Sequence, residues 1–393
     1  MSSLHTSKFM RRRLLAALLA SGLSACGGEV ADGGEGGGVI PGALPGSPKM
    51  PALQAQDAQL YLAQIAPYLA GRELSPEELD RIDAEREGAI RPLVEAWTKE
   101  DGFAEAARLL VQQRFAVNGE RDDIDFDLPG NLAAYIVKNG LPASALLTAD
   151  FCVDAQGRKT ACDTGAPFNA GILATRAYLS SRSSRFNLTR SSTLMKQFAC
   201  RHYPMETELQ PRLDKATLIP LFQATSAENQ TDEGKGGFGN GLACYSCHGQ
   251  FGAHAQVFVK FDQKGLYQSA ADGRQDPVGE LGRSFNGLMA SHLEEPAAAA
   301  SERSQVFGRQ VANLREAAQA VADSPAFLQC QVRNWLEFVF ALDEADPIDE
   351  ELLTFVADGS RETADPTLQT LVLNTFSDPR VVKAIVNGMG GTP

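Results

Sequence analysis

The residues with the most chemistry in them are Cys244-Tyr245-Ser246-Cys247-His248. Two thiols separated by two residues can form thioethers to the two vinyl groups of a haem, and the adjacent histidine then reaches the iron from the proximal side. A bare Cys-x-x-Cys is shared with thioredoxin-like redox sites and with half of a four-thiolate zinc site. Two observations favour haem. The histidine follows the second cysteine directly, and the chain has no second Cys-x-x-Cys to complete a zinc site. One covalent haem c, held by Cys244, Cys247 and His248, is the expected cofactor.

The iron's other axial position decides between electron carrier and catalyst. Met289 is the first candidate, far enough along the chain from His248 for the backbone to circle the macrocycle and return. His254 is the second, but it follows His248 so closely that the intervening residues would have to loop round the haem edge. His202, Met195, Met205 and His292 are further options, and an open or water-bound position is the remaining alternative. Taken singly, a methionine at helical spacing is more often core and a lone histidine more often a satisfied structural residue.

The N-terminus sets the compartment. Arg11, Arg12 and Arg13 precede an apolar run from Leu14 to Ala20 and then Leu23-Ser24-Ala25-Cys26, which reads as the n-region, h-region and cleavage site of an exported protein. The run is too short to span a bilayer. Leu-Ser-Ala-Cys looks like the lipobox of bacterial lipoproteins, in which the cysteine is lipidated and becomes the first residue; an ordinary secretory leader with Cys26 as a structural thiol is the alternative. Gly27 and Gly28 follow, with no aspartate to resemble an inner-membrane retention signal. A lipid-anchored outer-membrane location, facing the periplasm or the cell surface, is therefore expected. Removing residues 1–25 takes away four basic residues and no acidic ones, moving the net charge from −13 to −17. So acidic a body argues against nucleic acid and suits redox partner proteins of the envelope with a basic face.

Export also permits disulfides. With Cys26 given to lipid and Cys244 and Cys247 to haem, the seven cysteines leave Cys152, Cys162, Cys200 and Cys330. Cys152 and Cys162 bracket a short loop and are the natural first pair, so that Cys200 with Cys330 would staple the central region to the C-terminal one. Four cysteines allow three pairings.

The elements that must position these residues read as mostly α-helical. Residues 1–25 form the signal peptide and 26–50 the lipidated cysteine with a Gly- and Pro-rich flexible tether. A helical N-terminal domain is expected over 51–150, a disulfide-bearing helical and loop domain over 151–230, a cytochrome c-like mono-haem region with irregular glycine-rich loops over 231–300, and a helical C-terminal domain over 301–390. Ser75-Pro76-Glu77-Glu78 is a helix start with a capping box. Further helices are expected over 103–115, 132–137, 193–200, 311–322, from Ser324-Pro325 through Phe340, over 349–357 and over 366–376. Asp122 to Asp127 has a carboxylate spacing that invites calcium, but the EF-hand glycine and final glutamate are missing and a solvated acidic turn is expected. Arg182, Arg185 and Arg190 form a basic stretch that could meet haem propionates or a phosphate, or simply be paired within the fold.

From Gly171 to Phe376 the chain resembles a mono-haem cytochrome c family of planctomycete and myxobacterial type, whose C-terminal haem-binding domains have no assigned function. The likeness lies in GILATRAYLS and NLTRSSTLMKQF leading to Ala199-Cys200-Arg201-His202-Tyr203-Pro204. It continues in Cys244, Cys247 and His248 with Phe261-Asp262 and Gly265 in register, and in Ser324-Pro325-Ala326-Phe327-Leu328-Gln329-Cys330 followed by LQTLVLNTFSDPRV. Tyr68 to Ile82 is similar to a helical segment carried upstream. The resemblance implies a mostly helical, mono-haem envelope protein and no particular reaction. Departures are Phe251 in place of the family's methionine, Gly252-Ala253 in place of Asp-Pro, Ala255 in place of a glycine, and no C-terminal Gly-Arg.

Three functions fit. The leading one is a membrane-anchored electron carrier rather than an enzyme, with the chemistry belonging to the cofactor. A non-enzymatic scaffold or binding lipoprotein stabilised by haem is the second. A peroxidase-type enzyme is the third, needing a base and polar groups that His254 with Arg182, Arg185 or Arg190 could supply. Cys26→Ala should abolish incorporation of labelled palmitate while leaving the folded body intact; labelling that persists would remove the anchor.

Overall fold

The computed structural model describes residues 44–183, 187–206, 242–269, 302–343, 348–361 and 366–390. Over these residues the protein is predominantly α-helical, with strands confined to three two-stranded antiparallel hairpins. Helices α1 (Ala55–Leu69), α2 (Pro76–Glu85), α3 (Ile90–Trp97) and α4 (Asp101–Phe115) come first. Hairpin β1–β2 (Glu120–Arg121 with Ile124–Asp125) precedes α5 (Leu128–Lys138) and α6 (Ala145–Thr148). Hairpin β3–β4 (Cys152–Val153 with Lys159–Thr160) precedes α7 (Arg176–Ser181), α8 (Asn187–Ala199) and α9 (Leu242–Ala255). Hairpin β5–β6 (Ser304–Val306 with Arg309–Val311) leads into α10 (Leu314–Ala322), α11 (Pro325–Phe340), α12 (Glu350–Arg361), α13 (Leu368–Phe376) and α14 (Pro379–Gly390). Among the described residues no helix is long and apolar enough to cross a membrane.

The chain divides into two compact units, each discontinuous in sequence. The first combines residues up to Leu110 with Val137–Ala143 and Gln331–Pro393; the second combines Val111–Ile136 with Ser144–Cys330. Within the first unit the C-terminal helices bury their apolar faces with the N-terminal ones, α14 with α1 and α13 with α3, a pairing that no local pattern announces.

In the first unit, Ser75 caps α2. Its hydroxyl accepts from Glu78 N, and the Glu78 carboxylate accepts from Ser75 N, a reciprocal arrangement worth about 1 kcal/mol. Glu78 also accepts from Trp97 Nε1 at 2.7 Å and from Arg72. Burial works against its ionisation, but the hydrogen bonds from Arg72, Ser75 and Trp97 outweigh burial and hold the carboxyl down at about 2. Tyr61 of α1 donates to Phe376 O at 2.6 Å, and Arg91 donates to Ser377 Oγ at 2.8 Å and Asn374 Oδ1 at 3.3 Å. These bonds tie α1 and α3 to α13. Phe103 stacks on Trp335 with ring centroids 5.1 Å apart. Within residues 44–50, expected as the end of the tether, Leu44 and Met50 are packed while Pro45, Gly46, Pro48 and Lys49 are exposed. Met50 is buried, and Leu44 lies so close to Gly359 of α12 that a Cβ there would stand 2.6 Å from it.

In the second unit, buried Leu146, Ile172, Tyr178, Leu194, Phe258 and Phe327 form the core. Its disulfides are Cys152–Cys162 and Cys200–Cys330. The first closes the β3–β4 loop; the second joins the residue after α8 to α11. Asp122 and Asp123 make the turn of β1–β2 in the left-handed region, and Asp127 Oδ1 accepts from Gln112 Nε2 at 2.6 Å and Gly119 N at 3.1 Å. Among the described residues no group of three or more His, Cys, Asp or Glu is arranged to hold a metal ion.

The two disulfides close loops of very different size, with sequence separations of 10 and 130. Chain-entropy scaling assigns roughly 3 kcal/mol to the first and roughly 5 kcal/mol to the second. Replacing Cys200 and Cys330 by serine should therefore lower the urea midpoint of unfolding more than replacing Cys152 and Cys162. Equal shifts would show that the long crosslink does not restrain the unfolded chain as its length requires.

Candidate functional site

The motif lies on α9, whose sequence LACYSCHGQFGAHA has no β-branched residue to oppose a helix but includes Gly249 and Gly252. Each glycine costs a helix interior roughly 1 kcal/mol relative to alanine, so tertiary bonds have to hold this segment helical. Cys244, Cys247 and His248 stand at i, i+3 and i+4 on the helix backbone and so share one arc of its circumference. Cys247 is half-exposed and outside any disulfide. Cys152, Cys162, Cys200 and Cys330 are consumed in pairs. By type and backbone position, two cysteines one helical turn apart with a histidine directly after the second, and with Cys247 outside any disulfide, these residues are the set that covalent haem attachment would need.

The bonds that fasten α9 come from two other segments of its unit. Gln250 is fully buried; its Nε2 donates to Met205 O at 2.7 Å and its Oε1 accepts from Met205 N at 2.5 Å. Ser304 Oγ of β5 donates to Ala253 O at 2.7 Å. Tyr203 Oη lies 2.5 Å from His254 Nδ1, with Ser191 also bonded to the phenol. Burial raises the Tyr203 phenol well above its usual range. Neither Gln250 nor Tyr203 stands out in the sequence. The one available signal is the Gln250 amide itself, which needs both a donor and an acceptor partner when buried.

His254 is fully buried. The backbone of Gln305 faces its ring, yet Nε2 makes no hydrogen bond of normal geometry. Burial therefore dominates and pushes the imidazole down to about 3. A ligand role for His254 requires a loop between it and His248, and that stretch is unbroken helix. Six residues of helix separate the two positions by about 9 Å along the axis. Met195 is buried in α8 and His202 is exposed. Met205 binds Gln250 through its backbone. Met289, His292, Arg185 and Cys26 lie outside the described residues.

The remaining arginines of the basic stretch hold backbone carbonyls. Arg190 is fully buried and donates to Leu179 O at 3.0 Å, Phe261 O at 2.8 Å, Asp262 O and Asn187 Oδ1. Arg182 donates to Phe115 O at 2.7 Å. Asp262 and Gly265, the two residues in register with the family pattern, build one turn. Asp262 Oδ1 accepts from Lys264 N and Leu266 N, each at 2.9 Å. Gly265 has φ +76°, and a Cβ on it would stand 2.9 Å from Leu179 Cβ and 3.0 Å from Arg176 Cα. Their roles here are a turn and a close approach of backbone. No family model, curated protein or solved structure matches the chain.

The His254 imidazole binds a proton more weakly folded, at about 3, than unfolded, near 6.5. Between those values the unfolded chain holds more protons, so stability rises with pH and is complete above 6.5. Acidification from pH 6.5 towards 3 should cost this unit up to roughly 4–5 kcal/mol from this group. Urea unfolding as a function of pH, compared with His254→Gln, checks it. The same pH slope in both proteins would assign the acid sensitivity elsewhere.

Proposed function

We propose that the chain is a membrane-anchored c-type cytochrome carrying one covalent haem and exchanging electrons with redox proteins of the envelope. The observation that carries this reading is the uncommitted Cys247 thiol in a Cys-x-x-Cys-His sequence on a helix, in a unit where Cys152, Cys162, Cys200 and Cys330 are bonded in pairs. Cys244 and Cys247 hold the haem through thioether bonds and His248 ligates its iron. When bound, the haem supplies one-electron exchange. Cys26 carries the lipid that keeps the body at the outer membrane, and a mature net charge of −17 favours partners with a basic docking face.

The peroxidase-type alternative requires a base and a cationic group able to act beside the iron. His254 holds Tyr203, and Arg190 and Arg182 hold backbone carbonyls. A scaffold role draws its support from the first unit, a large helical body with the motif outside it.

Visible spectra of the purified protein in both redox states test the reading. A carrier should show a low-spin reduced spectrum with two axial protein ligands and little reaction with carbon monoxide. Cys244→Ala with Cys247→Ala should abolish haem that survives denaturation. A high-spin ferric spectrum with rapid peroxide turnover would replace the carrier by an enzyme. Covalent haem in the double variant would refute the site.

A further inference from the structure

Helix α9 is fastened along one arc and carries its motif along the next. At about 100° per residue, Gln250, Ala253 and His254 fall within about 100° of the circumference, and Cys247, Cys244 and His248 fall within the adjoining stretch of similar width. The fastened arc is held on two sides. Ser304 of β5 grips Ala253 O. Residues 200–206 supply both other partners: the Met205 backbone pairs with the Gln250 amide, and the Tyr203 phenol with His254 Nδ1. That segment is itself pinned at its start, by the Cys200–Cys330 disulfide and by Arg201 N donating to Met195 O at 3.1 Å.

This arrangement fixes rotation as well as position. A slip of α9 by one residue would turn it by about 100°, the width of one arc, and carry Gln250, Ala253 and His254 away from their partners. The buried Gln250 amide and the Met205 backbone would then lose their partners together, the costliest way to leave polar groups inside a fold. Any neighbouring setting of the helix is disfavoured for the same reason.

We infer that residues 200–206 are a clamp that sets the rotation of the motif helix, and that Tyr203 and Gln250 are positioning residues for the haem held by Cys244, Cys247 and His248. The inference rests on the haem reading above. Thioether bonds retain the group without any help from the clamp. What the clamp provides is one setting of the helix that carries His248, only two residues before Gln250, and the histidine would then approach the iron of a bound haem from one direction only.

The test uses the full lipidated protein and three variants. Tyr203→Phe deletes one hydroxyl of the clamp and Gln250→Leu its amide. Tyr61→Phe is the control, deleting a buried hydroxyl that donates to Phe376 O in the other unit. Covalent haem is counted after denaturation, and the ferric form is examined by low-temperature electron paramagnetic resonance. Both clamp variants should keep the wild-type haem count but show more than one ferric species, where wild type and Tyr61→Phe show one. Amide protection over residues 249–255 should fall about tenfold in Tyr203→Phe, the effect of losing the bond between its hydroxyl and α9. Should Gln250→Leu not fold, Tyr203→Phe decides. A single wild-type ferric spectrum in the clamp variants, or equal heterogeneity in Tyr61→Phe, overturns the clamp. A wild-type protein without covalent haem overturns the haem reading instead.

Discussion

The amide of Gln250 is fully buried, so its donor and its acceptor both have to be satisfied inside the fold, and the Met205 backbone satisfies both. Much of the motif's surroundings follows from that pairing. It holds a helix that contains two glycines, it brings Tyr203 to His254, and it requires residues 200–206 to lie along α9. The Cys200–Cys330 disulfide keeps that segment there. Loss of any one of these bonds leaves a buried polar atom without a partner, which is why they stand or fall together.

Residues that look reactive in the sequence divide into two kinds in the structure. Arg190, Arg182 and Asp127 are occupied in completing the backbone's hydrogen bonds. His254 is occupied by Tyr203 and kept neutral by burial. Cys247 is different, since it is half-exposed and outside any disulfide. The chemistry-bearing groups around α9 are thus mostly structural, and they leave the Cys-x-x-Cys-His arc as the place where covalent chemistry can occur.

Elements with local signals were legible in the sequence. The start of α2 is announced by Ser75-Pro76 with Glu78 three residues after the cap, and α11 by Ser324-Pro325. Cysteine arithmetic favoured the two disulfides that form. Helix α9 itself was not legible, because Gly249, Gly252 and a spread of small residues give it no apolar stripe; its stability is tertiary. Helix α14 lies beyond 366–376, the last helix expected from the sequence. Leu44 and Met50 are apolar residues in a Gly- and Pro-rich stretch, and they are the ones that pack. The discontinuous units have no local signature, since they depend on faces that meet only in the folded chain. Buried Arg190 shows the same limit: charge in a sequence suggests solvent or an anion, whereas backbone carbonyls can satisfy a guanidinium equally well.

Whether Cys244 and Cys247 are covalently bonded to one haem is read from the intact mass of the mature protein after denaturation and reduction. The expected mass is that of the lipidated chain plus one haem, with the addition mapping to the peptide that contains Cys244, Cys247 and His248. A mass showing both cysteines as free thiols after reduction, with no haem attached, would contradict it.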